Sequence, residues 1–81
     1  MQVRTLLFAQ LREASGRSSV EVQLAEGSPV EDLLVSLESM IPSLAAVAPA
    51  TAVAVNQAYA ERTSPLADGD EVALIPPVAG G

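Results

Sequence analysis

The sequence of 81 residues predicts an α+β fold, in which one main helix packs across a mixed sheet of four to five strands. Three observations carry that prediction. Apolar residues alternate with period two over the stretches "QVRTLLFA" and "SVEVQL". They recur at helical spacing in "SPVEDLLVSLESMIP". Three further short runs, "TAVAVN", "AYAE" and the segment 71–75, are separated by turn residues.

In the first strand Val3, Thr5 and Leu7 share one face and Arg4, Leu6 and Phe8 the other. Two partly apolar faces suit a central strand with a covered second face. "QLREASG" reads as a short helical turn closed by Gly16, where a left-handed cap is cheap. The second strand turns Val20, Val22 and Leu24 inward and Glu21 and Gln23 outward, which makes it a hairpin partner of the first. The main helix is expected to start with Ser28 as N-cap, Pro29 at the first helical position and Glu31 completing a capping box. Val30, Leu33, Leu34, Leu37 and Ile41 form its apolar stripe, and Pro42 stops it. "TAVAVN" (51–56) is a short buried strand, Asn56-Gln57 a turn and "AYAE" an edge strand. Asp68-Gly69 supplies the last turn before a final strand at 71–75. Pro76 and Pro77 lack amide hydrogens, so the ladder cannot continue past them.

Strand, strand, helix, strand, short strand, strand is the order of a ubiquitin-like β-grasp. First and last strands then lie side by side, in parallel, at the centre of the sheet, joined by a right-handed crossover. We divide the chain into a β-grasp domain, 1–75, and an extended Gly-Gly tail, 76–81. A split ferredoxin-like sheet would need a second long helix.

Composition narrows the chemistry. There is no cysteine and no histidine, and the four cationic residues are Arg4, Arg12, Arg17 and Arg62, with no lysine. These absences exclude disulfides, thiolate metal sites, cysteine nucleophiles, imidazole bases and Schiff-base catalysis. A net charge of −6 with scattered arginines argues against nucleic acid and suits a basic protein surface. The uncharged stretch 39–60 contains Pro42, Pro49, Asn56 and Gln57, which makes it a poor spanning helix. A soluble, cytoplasmic protein is expected.

The remaining chemistry sits in "IPPVAGG". A last strand at the centre of the sheet must release the segment from Pro76 onward outside the globule. Six extended residues reach at most roughly 20 Å. Pro76-Pro77 keeps the base of that arm extended, which lowers the entropy lost on threading it into a partner. Ala79, Gly80 and Gly81 narrow the tip to near-bare backbone. A terminal carboxylate is ionised at neutral pH. It can attack ATP in a partner's site, giving an acyl-adenylate that sulfur then displaces.

"LLFAQLREASG", "VAVNQ" and "PLADGDEVALIPPVAGG" together resemble the small subunits of molybdopterin synthase, the MoaD sulfur carriers within the ThiS/MoaD ubiquitin-like family. The resemblance spans the chain, and its closing DGDEVA-x-x-PPV-x-GG pattern is specific. It implies that Gly81 is adenylated by an E1-like enzyme, MoeB, and converted to a thiocarboxylate. It implies insertion into the large subunit, MoaE, and donation of sulfur to cyclic pyranopterin monophosphate (precursor Z) to form molybdopterin, commonly within a heterotetramer. On this basis the chain is non-catalytic alone and binds no cofactor, ATP being used by the activating partner. Gly80 is the threading neighbour, and Ile75, Pro76, Pro77, Val78 and Ala79 line the partner's channel. Family members often carry an aromatic where Ile75 stands. Phe8 and Tyr59 are the candidates for a docking patch, with core packing the equal alternative for Phe8. Arg12 and Glu13 match the family's Arg-Glu, a local pair or turn cap. Two other readings share the tail: a thiamine-pathway sulfur carrier and a ubiquitin-like protein modifier.

Overall fold

The computed structural model describes residues 1–46 and 51–76. Five strands form one sheet in the order β2-β1-β5-β3-β4. They are β1 (Gln2–Leu7), β2 (Ser19–Gln23), β3 (Ala52–Val55), β4 (Ala58–Ala60) and β5 (Glu71–Ile75). Two helices, α1 (Ala9–Ser15) and α2 (Val30–Met40), and a 3-10 turn, Pro42–Ala46, complete the described chain. β1 pairs antiparallel with β2 and parallel with β5, and β5 pairs antiparallel with β3. The two ends of the chain therefore meet at the centre of the sheet, as the strand order predicts.

Alternation sets the core face. Val3, Thr5 and Leu7 of β1, Val20 and Val22 of β2, Val53 of β3 and Val72 and Leu74 of β5 are buried. Val30, Leu33, Leu34 and Leu37 are buried on α2, with Ile41 packed at the margin. Gly16 closes α1 at φ 73°, and its N–H donates to the Arg12 carbonyl. The turn between β3 and β4 has both central residues, Asn56 and Gln57, at positive φ, the type I′ pattern that matches strand twist. Leu11 of α1, Leu44 of the 3-10 turn and Leu66, between β4 and β5, add three buried leucines from outside the sheet and main helix.

The start of α2 departs from the expected capping box. The helix begins at Val30, Pro29 is its N-cap and no side chain caps it. The Ser28 hydroxyl donates instead to the Ala25 carbonyl at 2.7 Å. The free helix amides find a distant backbone: the Val30 N–H donates to the Ser64 carbonyl and the Glu31 N–H to that of Arg62, each at 2.9 Å. The Leu66 N–H returns a bond to the Ser28 carbonyl, so Ser28–Val30 and Ser64–Leu66 form a two-bond antiparallel clasp around the bridge Pro29–Pro65. Both prolines stand where the ladder asks for no N–H, so their missing donors cost nothing. With these carbonyls in place a serine cap is redundant.

Thr5 breaks the apolar pattern of the core. It is fully buried, and its hydroxyl has no hydrogen-bond partner. An unpaired buried hydroxyl costs about 1–3 kcal/mol, and valine has nearly the same shape. Thr5→Val is expected to raise the melting midpoint by roughly 4–8 °C for each kcal/mol recovered in a domain of this size. Thermal and urea melts check this; a lower midpoint would show that the hydroxyl is satisfied.

Candidate functional site

The acidic turn before β5 is first of all a fastening. The Asp68 carboxylate accepts the Gln2 N–H at 2.7 Å, and the Gly69 N–H donates to the Gln2 carbonyl at 2.9 Å. The Asp70 carboxylate accepts the Ala67 N–H at 2.8 Å and the Asn56 side-chain amide at 2.9 Å. The Asn56 side-chain oxygen in turn accepts the Glu71 N–H at 3.0 Å. Asp68, Asp70 and Asn56 thus lock the starts of β1 and β5 to the β3–β4 turn. Gly69, at φ 84°, takes a conformation that a side chain disfavours. This fixes where β5 begins and therefore where it ends.

The face of the sheet turned away from α2 has two unlike ends. Register aligns Leu6, Ala73, Ala54 and Tyr59 in one row across β1, β5, β3 and β4. Ile75 opposite Ala52 begins the next row, and alternation puts Phe8 on the same side as Leu6. Tyr59 is 81% exposed and Phe8 45%. Of the two readings of Phe8, exposure favours a surface role over core packing. Ala9, at φ 47°, turns the chain immediately after Phe8 into α1, whose Leu11 is buried. Left-handed backbone costs a non-glycine residue about 1–2 kcal/mol, so the turn that leaves Phe8 outside is a strained one. Three predicted contact residues, Phe8, Tyr59 and Ile75, thus share the face, Phe8 and Ile75 at the end where β5 delivers the chain to Pro76 and Tyr59 one row back.

The opposite end of the same face is polar. Arg4 pairs across the strands with Glu21 and Glu71, and with Gln2, Asp68 and Gly69 they line an open recess of about 390 Å³. Among the described residues no cluster of three acidic, histidine or cysteine side chains is arranged to hold a metal ion. Nor is any described helix long and apolar enough to cross a membrane.

Pro76, expected as the first residue of the free arm, is buried. A residue that follows a central strand is still flanked by the neighbouring strands, so the globule extends at least one residue further than the pattern implied. Pro77, Val78, Ala79, Gly80 and Gly81, the predicted channel-lining and sulfur-bearing positions, lie outside the described residues. What sequence reasoning missed is the row through Leu6, Ala73 and Ala54. Two alanines and a leucine carry no functional signal until strand register places them between Phe8 and Tyr59.

Residues 5–81 match the model of the ThiS family. The chain is 40% identical over 83 residues to the molybdopterin synthase sulfur carrier subunit of Chlamydomonas reinhardtii, covering 100% of both chains. It is 42% identical over 84 residues to the protein of the same name from Mycobacterium tuberculosis, covering 100% of this chain and 99% of that one. Among solved structures it is similar to small archaeal modifier protein 1 of Haloferax volcanii. That match has 32% identity and a TM-score of 0.88, over 95% of this chain and 98% of that one.

Proposed function

The chain belongs to the ThiS family, and from that premise we propose that it is the sulfur carrier of molybdenum-cofactor biosynthesis, the small subunit of molybdopterin synthase. The carboxylate of Gly81 is adenylated by an E1-like, MoeB-type enzyme using ATP and becomes a thiocarboxylate. It then donates sulfur to cyclic pyranopterin monophosphate in the active site of a MoaE-type large subunit, within a heterotetramer. The chain itself holds no cofactor and supplies no acid or base; those groups belong to the partners. Its working compartment is the cytoplasm.

One observation supports this reading above the others. The central strand β5 hands the chain to Pro76 beside an apolar face that carries Phe8, Ile75 and the largely exposed Tyr59. A partner seated on that face receives the terminal segment at a fixed edge. The docking energy is then separate from the chemistry at the tip, and an aromatic anchor such as Tyr59 suits an interface centre.

The experiment is intact-mass spectrometry after incubation with the E1-like enzyme, ATP and a sulfur donor. The mass is expected to rise by the difference between sulfur and oxygen, and to fall back only when the large subunit and the pyranopterin precursor are both added. No mass change would sink the carrier reading. Release of sulfur to a thiazole precursor instead would favour the thiamine pathway. The similarity to small archaeal modifier protein 1 keeps a protein-modifier reading in view. Gly-Gly branches on lysines of other proteins would decide for it.

A further inference from the structure

The topology collects particular cations around the outlet of the terminal segment. β1 and β5 are parallel, so the carboxyl ends of both strands lie at one end of the sheet. α1 follows β1 after one residue and therefore starts at that end, carrying Arg12. Arg17 lies between α1 and β2, whose first residue, Ser19, pairs with Leu6 near the same end. Arg4 pairs with Glu71 at the far end of the strands, and Arg62 caps α2 through its carbonyl. Arg12 and Arg17 are thus the cationic residues that the topology places at the outlet's end of the sheet. Five residues follow Pro76, and extended they reach at most roughly 18 Å.

Nothing in the local geometry asks for a guanidinium at either position. Both side chains are exposed, and among the described residues neither forms an ion pair with a carboxylate. Lysine would carry the same charge there. What arginine lacks is a reactive amine, because its guanidinium stays protonated under any physiological condition. The rest of the sequence offers no lysine, cysteine or histidine. Serine and threonine hydroxyls without a neighbouring imidazole are weak nucleophiles. The N-terminal amine, the one aliphatic amine left, donates to the Leu24 carbonyl at 2.6 Å and is partly buried.

We propose that the chain is a donor only: the surface around the tail outlet is charged by Arg12 and Arg17 without a nucleophile, so an activated Gly81 cannot be captured by its own protein. The inference rests on the reading of Gly81 as the activated residue. The reaction avoided is aminolysis. An amine attacks the Gly81 carbonyl carbon, a C–N bond forms and the bond to the leaving group breaks. Adenylate leaves from the acyl-adenylate, hydrogen sulfide from the thiocarboxylate, and the amine loses a proton. A tethered lysine at the outlet would face an effective concentration in the millimolar range, which favours that side reaction over encounter with a dilute partner.

The test uses the full chain carrying a chemically installed alkyl thioester at Gly81, which needs no activating enzyme. At pH 8.5 the native sequence is expected to return only the free acid. Arg12→Lys/Arg17→Lys is expected to consume its thioester at least about threefold faster, since roughly 1% of a lysine amine is free at that pH. Its product should be one water lighter than the acid, with a branched peptide linking Gly81 to residue 12 or 17. The light species from the native chain, or its absence from the double variant, would overturn the proposal. A parallel incubation with the E1-like enzyme, ATP and hydroxylamine tests the underlying reading. A Gly81 hydroxamate supports activation at that residue. Its absence would sink that reading while leaving the thioester result intact.

Discussion

Deletion of Gly81 is expected to abolish sulfur transfer, by more than about a hundredfold, while moving the melting midpoint by no more than roughly 1 °C. The two halves of that result have separate causes. Among the described residues the hydrophobic core runs as far as Leu74 and is built from β1, β2, β3, β5, α2 and three leucines outside them. Gly81, whose carboxylate is the group proposed to react, lies seven residues further along the chain. Shortening the tail by one residue retracts the carboxylate by about 3.3–3.6 Å, more than the length of a hydrogen bond. Gly80, now terminal, stops short of the position that Gly81 would occupy. Effective molarity falls steeply with misplacement on that scale, so the loss is in transfer and not in folding. Intact mass after the activation reaction, together with a thermal melt of the same sample, checks both halves. A lowered midpoint would show that the terminal residues pack on the domain. Retained transfer would place the reactive group elsewhere.

The elements of the folded body were legible in the sequence because each follows from local rules. Period-two runs gave β1 and β2, helical spacing gave the stripe Val30, Leu33, Leu34 and Leu37, and Asp68-Gly69 gave the turn into β5. The features that escaped are non-local. Ser28 and Glu31 have the spacing of a capping box, yet carbonyls more than thirty residues away at Arg62 and Ser64 satisfy the helix amides first. Leu44 and Leu66 sit in segments without periodicity, so nothing in a window of sequence marks them as core. The left-handed turn at Ala9 has no glycine to announce it. The apolar face of the sheet is the clearest case. Phe8 and Tyr59 stand out by type, but their union into one surface depends on the registers Leu6–Ala73, Ala73–Ala54 and Ala54–Tyr59, which only the paired strands reveal.

Leu33→Ala is expected to be the most damaging single truncation, costing about 2–5 kcal/mol. Leu33 has no exposed surface and lies at the middle of the stripe that holds α2 on the sheet. The whole domain has only about 4–12 kcal/mol of stability to lose, at 0.05–0.15 kcal/mol per residue. The composition sharpens the effect. The chain has just two aromatic residues, Phe8 and Tyr59, and both are exposed, so no large ring is available to move into the vacated space. Aliphatic neighbours fixed to strands can relax only partly, and the cavity remains. A fall in melting midpoint of roughly 10 °C or more follows from the usual relation between energy and midpoint for a domain of this size. Val35→Ala provides the comparison on the same helix: Val35 is 61% exposed, so its truncation should change stability by less than about 0.5 kcal/mol. Equal losses in the two variants would mean that burial of Leu33 against the sheet is not what holds α2. Because α2 covers the face of the sheet opposite Phe8 and Tyr59, the Leu33 variant should still bind the large subunit at temperatures well below its midpoint. Loss of binding there would show that the partner's site depends on the packing of α2 against the sheet.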